Sequence, residues 1–395
     1  MSVLLRGKPM FLNKKKLAAI IVGSLATGSV LTVGGLGWLF GVQTPAQVAE
    51  WARFIGVKKF IELRYVEPVD DTDLMDGAIE GMVGSLGDPH SLYLSANKFK
   101  TLQDHTAASF GGIGVTMGFK NDQVTIISVL EGTPGEGAGL QVGDQIVAVD
   151  GTPVTDYQPD EVALHIRGDV DTQVTLTIHR AGQDDFDVQL TRAIIRVPTA
   201  KGKMLPDTDH IGYIRIASFG EHTAEEFNAA FDALADEGMR GLVIDLRENG
   251  GGLITTCVDI AQRVVPAGPI VSVVDRDGSR EEHDSDLQES KYPLVVLIDG
   301  NSASASEILA GALQDTGAAT LVGTKSYGKG SVQMVLPLFH DDGLKLTIAK
   351  YYTPAGRCID GIGIEPDVEV DLPEGATEDT QLQKAIAVMQ EKLVQ

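Results

Sequence analysis

Cysteine is scarce in this chain of 395 residues. Cys257 and Cys358 are too few for a disulfide-dense scaffold or a four-cysteine zinc site. Basic residues are outnumbered: 32 Lys and Arg stand against 55 Asp and Glu, a formal net charge of −23, which argues against a general nucleic-acid binder with its basic face. There is no His-Glu-x-x-His and no Gly-x-Ser-x-Gly elbow, and the eight histidines are scattered through turn or polar contexts. Zinc-peptidase chemistry and a Ser-His-Asp triad are therefore poor fits, and no metal is expected. No internal repeat or low-complexity run occurs in the body. What is present, 43% apolar and 22% charged residues, is ordinary globular composition, and the length fits two or three domains.

The charge is unevenly spread. Residues 1–40 hold five cations (Arg6, Lys8, Lys14, Lys15, Lys16) and no acid, so a basic tail precedes a strongly acidic body. From Leu17 to Ala49 no residue is charged. Residues 17–42 are mostly apolar and long enough to span ~30 Å of hydrocarbon as a helix. With Lys14–Lys16 just before it, the positive-inside rule keeps the tail, 1–16, in the cytoplasm. The expectation is a single-pass anchor in the cell membrane with the body outside the cytoplasm. A cleaved signal peptide is the rival, but its apolar region would run to only ~7–15 residues. In an exported body the two cysteines could form one disulfide, though nothing in the sequence shows that they meet.

Residues 48–108 read as helical, with Leu74, Ala78, Met82 and Leu86 four apart. Asp88-Pro-His-Ser reads as a turn, which makes His90 a capped loop histidine before a chemical one. Residues 109–192 change to glycine-rich turns between short period-2 runs, with one amphipathic helix, Asp160–Arg167. Phe110-Gly-Gly-Ile-Gly-Val, Ala138-Gly-Leu, Gly143-Asp-Gln-Ile and Val149-Asp-Gly in that order resemble a PDZ domain. Backbone N–H groups around Gly112, Ile113, Gly114 and Val115 suit a terminal carboxylate. The strand edge that follows, with the Val162/Ile166 helix, suits an added peptide strand.

Residues 193–372 alternate strands and helices, an α/β layer architecture. Strands are expected at Ile211–Ala217, Gly241–Leu246, Leu294–Ile298 and Ala319–Val322, and helices at Ala224–Asp236, Leu253–Val265 and Ser306–Leu313. Ser331–Phe339 and Leu344–Tyr352 read as paired strands. The tail, 373–395, holds an amphipathic helix for packing or dimerisation.

Three motifs carry chemistry. Asn301-Ser-Ala-Ser-Ala-Ser-Glu-Ile follows a buried strand and opens a helix. Ser304-x-x-Glu307 fits a capping box, and a serine nucleophile with the next N–H aimed into an oxyanion site fits the same turn. Pattern alone leaves Ser302, Ser304 and Ser306 open. Gly250-Gly-Gly252 between strand and helix implies close approach or positive φ, at a helix N-terminus that favours an oxyanion. Gly323-Thr-Lys-Ser-Tyr-Gly-Lys-Gly330 nearly imitates a phosphate loop but lacks its final Ser or Thr and precedes a strand. Lys329 between two glycines is then the useful part. A lysine's ordinary pKa of ~10.4 can fall by 3–5 units on burial, leaving a neutral amine able to take a proton from serine. Gln333, four residues on, would share its face in a strand.

In unbroken order the chain carries a membrane-anchor pattern, a PDZ-like module, Leu246-Arg-Glu-Asn-Gly-Gly-Gly-Leu, Ser302-Ala-Ser-Ala-Ser-Glu-Ile, Ser326-Tyr-Gly-Lys-Gly-Ser-Val-Gln and Tyr351-Tyr-Thr-Pro-Ala-Gly-Arg. This resembles the carboxyl-terminal processing peptidases, or tail-specific proteases, from about Tyr65 to Val370. The resemblance implies a multidomain α/β protein: transmembrane helix, helical segment, β-rich PDZ domain and an α/β (crotonase/Clp-like) serine peptidase domain. It implies Ser304 as nucleophile, Lys329 as general base and Gln333 orienting it, with oxyanion donors from the N–H of Ala305 and of Gly252, Gly251 behind it. A proline commonly stands in the family where Gly250 is, which loosens this turn. Arg167 matches an arginine implicated in coupling peptide binding to an ordered active site; a cation at a helix C-terminus is as economical a reading. No cofactor is implied. The implied partners are protein or peptide substrates with exposed C-termini, the membrane, and a second copy as a possible homodimer. An inactive peptide-binding scaffold and a crotonase-like acyl-CoA enzyme are the rivals. The first has no use for the Ser304/Lys329/Gln333 set, and the second has none for the anchor and the PDZ-like module.

Overall fold

The computed structural model describes residues 44–120, 123–373, 375–376 and 378–394. The expected basic tail and anchor, 1–16 and 17–42, lie outside the described residues. Among those described, no helix is long and apolar enough to cross a membrane. Two compact units divide the chain, one ending at Met82 and the other running from Val83.

The first unit is helical, as the pattern predicts. Helix α1 (Pro45–Arg64) starts at a Thr44/Gln47 capping box: the Gln47 side chain accepts from the Thr44 N–H at 2.9 Å, and Thr44 Oγ1 accepts from the Gln47 N–H at 3.3 Å. Proline at its first position has no N–H to leave unpaired. No side chain of α1 is buried, and Trp51, Phe54, Phe60 and Leu63 are exposed. Helix α2 (Asp71–Gly84) follows with two acids in its first turn, where they oppose the positive end of the helix dipole.

In the second unit, strand β1 (Leu92–Leu94) and helix α3 (Ala96–Ala107) lead into a two-stranded ribbon of β2 (Ser109–Gly112) and β9 (Ala193–Arg196). The ribbon joins the two ends of the β-rich module, so its strands lie on either side of the boundary expected at residue 192. Inside the module β3 (Val115–Lys120), β4 (Gln123–Val129), β5 (Gln145–Val149), β7 (Gln173–His179) and β8 (Phe186–Thr191) form an antiparallel sheet in that order, with β6 (Thr152–Pro153) on β5. A short turn of helix, α4 (Pro134–Gly137), and helix α5 (Pro159–Ile166) complete it. Strand β3 is an edge strand. The period-2 residues Val124, Ile126, Val174, Leu176 and Ile178 all point into one core.

The α/β part holds a six-stranded sheet in the order β10 (Ala200–Met204), β11 (Ile211–Ile216), β12 (Gly241–Asp245), β15 (Leu294–Ile298), β16 (Ala319–Gly323), β19 (Val368–Glu369). All pairs are parallel except the edge pair β10–β11. Strands β12 and β15 are buried at every position, which is why they read as unbroken apolar runs. Leu242, Ile244, Leu294, Val296 and Ile298 face helices α6 (Thr223–Asp236), α7 (Ile254–Val264) and α8 (Ala305–Asp315). Val243, Val295 and Leu297 face the other side, where helix α9 (Thr380–Val394) buries Ala385 and Met389. The tail helix is thus a packing element. Arg247 fastens the approach to it, with its guanidinium on Asp245 and Asp379 at 2.7–2.8 Å and on Gln381 at 3.1 Å.

A second sheet was only partly anticipated. Its β17 (Ser331–Pro337) and β18 (Gly343–Tyr352) are the expected hairpin, while β13 (Gly268–Asp275) and β14 (Arg280–Ser285) form a further hairpin; β1, β18, β13 and β14 neighbour one another in that order. Strand β14 reads Arg-Glu-Glu-His-Asp-Ser, a charged edge strand with no apolar alternation to detect.

Candidate active site

Strand β15, a turn and helix α8 place the three serines in different surroundings. Ser302 and Ser306 are fully buried and structural. Ser302 Oγ donates to the Leu246 carbonyl at 2.8 Å and accepts from the Asp299 N–H at 2.9 Å, and Ser306 Oγ donates to the Asn249 carbonyl at 2.9 Å. Ser304 alone is partly exposed, at the N-cap of α8, with φ +58° and ψ −116°. A non-glycine residue held there costs about 1–3 kcal/mol, the kind of strain that persists where surrounding structure over-determines it. Period-2 spacing left the three serines equivalent; helix packing separates them.

The glycine turn lies directly against this serine. A Cβ on Gly251 would stand 2.8 Å from Ser304 Cβ and 2.9 Å from the Ala305 nitrogen, and φ there is +99°. A Cβ on Gly252, φ +150°, would stand 2.2 Å from the Phe219 carbonyl oxygen. The Gly251 N–H donates to Asn249 Oδ1 at 2.9 Å. The Gly252 N–H has no acceptor among the described residues. Asn249 is fully buried and ties the turns together: its Nδ2 donates to the Ile216 carbonyl, and its own carbonyl accepts from the Ala303 N–H and Ser306 Oγ. Beneath them Cys257 Sγ donates to the Ala305 carbonyl at 3.2 Å; both cysteines are free thiols, and burial pushes the Cys257 thiol far up.

Lys329 arrives on the loop between β16 and β17. The flanking glycines are there for space: Gly328 has φ +92° and lies against the Gly363 nitrogen, while a Cβ on Gly330 would stand 2.5 Å from the Asp360 nitrogen. The anchor of this loop is Glu307, fully buried in the first turn of α8. Its Oε1 accepts from Ser326 Oγ at 2.5 Å and the Gly328 N–H at 2.7 Å; its Oε2 accepts from the Lys329 N–H and the Ser304 N–H, both at 2.9 Å. The carboxylate expected only to cap a helix therefore joins serine loop to lysine loop. The Lys329 side chain is half-buried, and its amine is held below the ordinary lysine range by burial first and then by the charge of Lys345, against the opposing pull of Glu307 and Asp88. Lys345, also half-buried on β18, was not singled out in the sequence.

Gln333 does not share a strand face with Lys329. Strand β17 begins at Ser331, after the lysine, and a bulge between Val332 and Gln333 breaks the alternation. The Gln333 amide donates to Ser331 Oγ at 2.9 Å and Thr347 Oγ1 at 3.2 Å. Beside it a cavity of about 730 Å³ is lined by Asp88, His90, Tyr327, Gly328, Thr347 and Lys350, among others. His90 sits in the expected turn, its N–H on Asp88 Oδ1 at 3.0 Å. Burial opposes the Asp88 charge, but hydrogen bonds from Ser91, Thr347 and the His90 N–H hold its carboxyl at about 2.

In the PDZ-like module Gly114 has φ +79°, and the carbonyls of Ile113 and Gly114 accept from the Gly135 and Leu130 N–H groups. Their own N–H groups have no acceptor among the described residues. Gly112 ends strand β2, and Val115, half-buried, opens the edge strand β3. Val162 and Ile166 correct the expectation that they line a peptide groove: they are 1% and 3% exposed and belong to the module's core, because its one substantial helix must cover the sheet. Arg167 is exposed, with its guanidinium 4.0 Å over the Phe110 ring. Arg167 is the C-cap residue of α5, and the guanidinium that bonds the last carbonyls of that helix is that of Arg192, donating to Ile166 at 2.9 Å and His165 at 3.0 Å.

The profile of peptidase family S41 matches residues 210–370, a PDZ domain profile matches 125–180, and that of the activating protease CtpB N-terminal domain matches 41–98. The chain is 40% identical over 335 residues to a carboxy-terminal-processing protease of Bartonella bacilliformis, covering 82% of this chain and 75% of that protein. It is 35% identical over 379 residues to the carboxy-terminal processing protease CtpB of Bacillus subtilis, covering 92% and 79%. Among solved structures, a photosystem II D1 C-terminal processing protease is 33% identical, with a TM-score of 0.50 over 85% of this chain and 90% of that one. The chain therefore belongs to peptidase family S41, and it is a PDZ-containing C-terminal processing serine protease.

Proposed function

We propose that this protein is a membrane-anchored endopeptidase whose PDZ domain captures exposed, apolar substrate C-termini outside the cytoplasm and whose Ser304–Lys329 dyad cleaves the captured chain. One observation carries the catalytic reading. Three loops converge at the N-terminus of α8, and among the three serines only Ser304 is partly exposed there, next to the Ala305 N–H, against the Gly251 backbone and joined through Glu307 to the loop of Lys329. A lysine held below its ordinary range by burial has a larger neutral fraction, the form that can take a proton from serine.

The reaction follows from those parts. Neutral Lys329 takes the Ser304 hydroxyl proton as Oγ attacks the substrate carbonyl carbon. The carbonyl oxygen becomes the oxyanion, met by the Gly252 and Ala305 N–H groups and the positive end of α8. The lysine ammonium returns its proton to the leaving nitrogen, the C–N bond breaks, and an ester to Ser304 remains. A water molecule, deprotonated by Lys329, hydrolyses that ester. At the other end, the N–H groups of Ile113 and Gly114, without an acceptor among the described residues, suit a terminal carboxylate, and the edge strand β3 suits strand addition. Arg167 on Phe110 joins the helix end to that carboxylate loop and is the candidate link between capture and catalysis. The exposed apolar side chains of α1 favour pairing with a second copy.

The test is digestion of an unstructured protein ending in apolar residues by the full-length enzyme, with fragments followed by mass. Ser304→Ala and Lys329→Ala are expected to abolish cleavage, and amidation of the substrate C-terminus to weaken it strongly. Cleavage by Ser304→Ala at the wild-type rate would refute the dyad; indifference to amidation would refute C-terminal capture.

A further inference from the structure

Ser304 and Lys329 stand on loops that follow neighbouring parallel strands, β15 and β16. A proton passes between them only if the loops keep a fixed separation and a fixed relative rotation. On the amide side both residues share one acceptor, Glu307 Oε2. On the carbonyl side both share one donor, the hydroxyl of Tyr351, which lies 3.1 Å from the Ser304 carbonyl oxygen and hydrogen-bonds the Lys329 carbonyl. A phenol has a single proton, which the two carbonyls share. The Ser304 carbonyl also accepts from the Ile308 N–H at 2.9 Å, whereas the Lys329 carbonyl has no other donor among the described residues. Tyr351 is itself held firmly. It is 1% exposed near the end of β18, and its backbone N–H donates to the Gly330 carbonyl at 3.0 Å.

We propose that Tyr351 is a positioning residue for peptide hydrolysis: its hydroxyl closes, on the carbonyl side, the clamp that Glu307 closes on the amide side. The two loops are also joined directly two residues earlier, where the Tyr327 N–H donates to the Ser302 carbonyl at 3.1 Å. At Ser304 and Lys329 themselves the shared partners are Glu307 and Tyr351, and two anchors on opposite sides of both backbones fix the rotation that one leaves free. Tyr351 touches neither reacting atom, so its effect is on geometry alone. Burial, and then the nearby charge of Glu307, keep the phenol protonated far above its ordinary range, so it remains a donor wherever the enzyme works. The inference rests on the Ser304–Lys329 reading.

Tyr351→Phe removes the hydroxyl and keeps the ring. Misplacing a catalytic group by about 1 Å costs on the order of 100-fold, so kcat on the unstructured substrate is expected to fall by about 10- to 100-fold. KM, set largely at the PDZ domain, and Tm are expected to stay near wild type. Tyr351→4-aminophenylalanine restores a donor at the same place and is expected to restore kcat. A merely structural hydroxyl would lower Tm and leave kcat per folded enzyme unchanged. Wild-type kcat in folded Tyr351→Phe, a loss carried by KM, or a loss the amino variant does not restore overturns the proposal. If Tyr351→Phe does not fold, the amino variant decides: folded protein with kcat within about threefold of wild type supports the donor role, and a larger loss overturns it. Ser304→Ala runs alongside. An active Ser304→Ala sinks the dyad itself, whereas an inactive Ser304→Ala with a fully active Tyr351→Phe sinks only the role of Tyr351.

Discussion

Glu307→Gln is the substitution through which the architecture of this site is most sharply exposed. It keeps shape and volume and changes one oxygen to an NH2 group. Both carboxylate oxygens each accept two hydrogen bonds, from Ser326 Oγ and the Gly328 N–H on one side and from the Lys329 and Ser304 N–H groups on the other. Whichever way the amide turns, its NH2 faces at least one N–H donor that cannot reverse. Turned toward Oε2 it confronts two N–H groups that cannot reverse. Turned toward Oε1 it confronts the Gly328 N–H, which cannot reverse, while Ser326 Oγ, which accepts from the Ile364 N–H at 2.7 Å, can accept from the NH2 on its second lone pair only by turning its own proton elsewhere. In that cheaper orientation at least one hydrogen bond to a charged acceptor, that of Gly328, is lost outright, so at least about 1.5–3 kcal/mol weighs against the closed arrangement. The chain escapes this cost by releasing the 324–330 loop, so the expected drop in Tm is modest while kcat falls by at least about 100-fold. Thermal unfolding and kcat with the same substrate measure both. Glu307→Gln with kcat within threefold of wild type and an unchanged Tm would show that the buried carboxylate does not hold the two loops together.

Further outcomes follow from individual groups. Lys329 must be neutral to act as a base, so activity should fall as pH drops through its lowered pKa. Removing the neighbouring cation with Lys345→Met favours the protonated amine and should move that acid limb of the kcat–pH profile to higher pH; an unmoved or lower limb would refute the coupling. Gly251→Ala, which sets a Cβ within 3 Å of three active-site backbone or side-chain atoms at φ +99°, should abolish cleavage, whereas Gly250→Ala, with open space around it, should be harmless or slightly stabilising. Kinetics of the pair check this. Asp379→Asn weakens the clasp of Arg247 on the tail and should lower Tm while leaving the Michaelis constant unchanged, measurable in one melt and one titration.

Much of the fold was legible because it rests on local patterns. The buried runs of β12 and β15, the β17–β18 hairpin and the order of the motifs all lie in contiguous sequence, where hydrophobic period and turn residues carry the signal. The β13–β14 hairpin was less legible because its edge strand is polar on both faces. The PDZ resemblance points the Val162/Ile166 helix at a peptide, and four-residue spacing marks its face without saying what that face meets. Gln333 was placed beside Lys329 on a strand that starts two residues too late. The sequence alone determined which chemistry was possible: a serine cluster at a helix start, a glycine turn and a lysine between glycines, in family order. Only the tertiary structure decided which serine is partly exposed, which glycine N–H lacks a partner, and that Glu307 and Tyr351 bind both loops. Those choices depend on hydrogen bonds between segments up to 57 residues apart, and no local periodicity records such pairings.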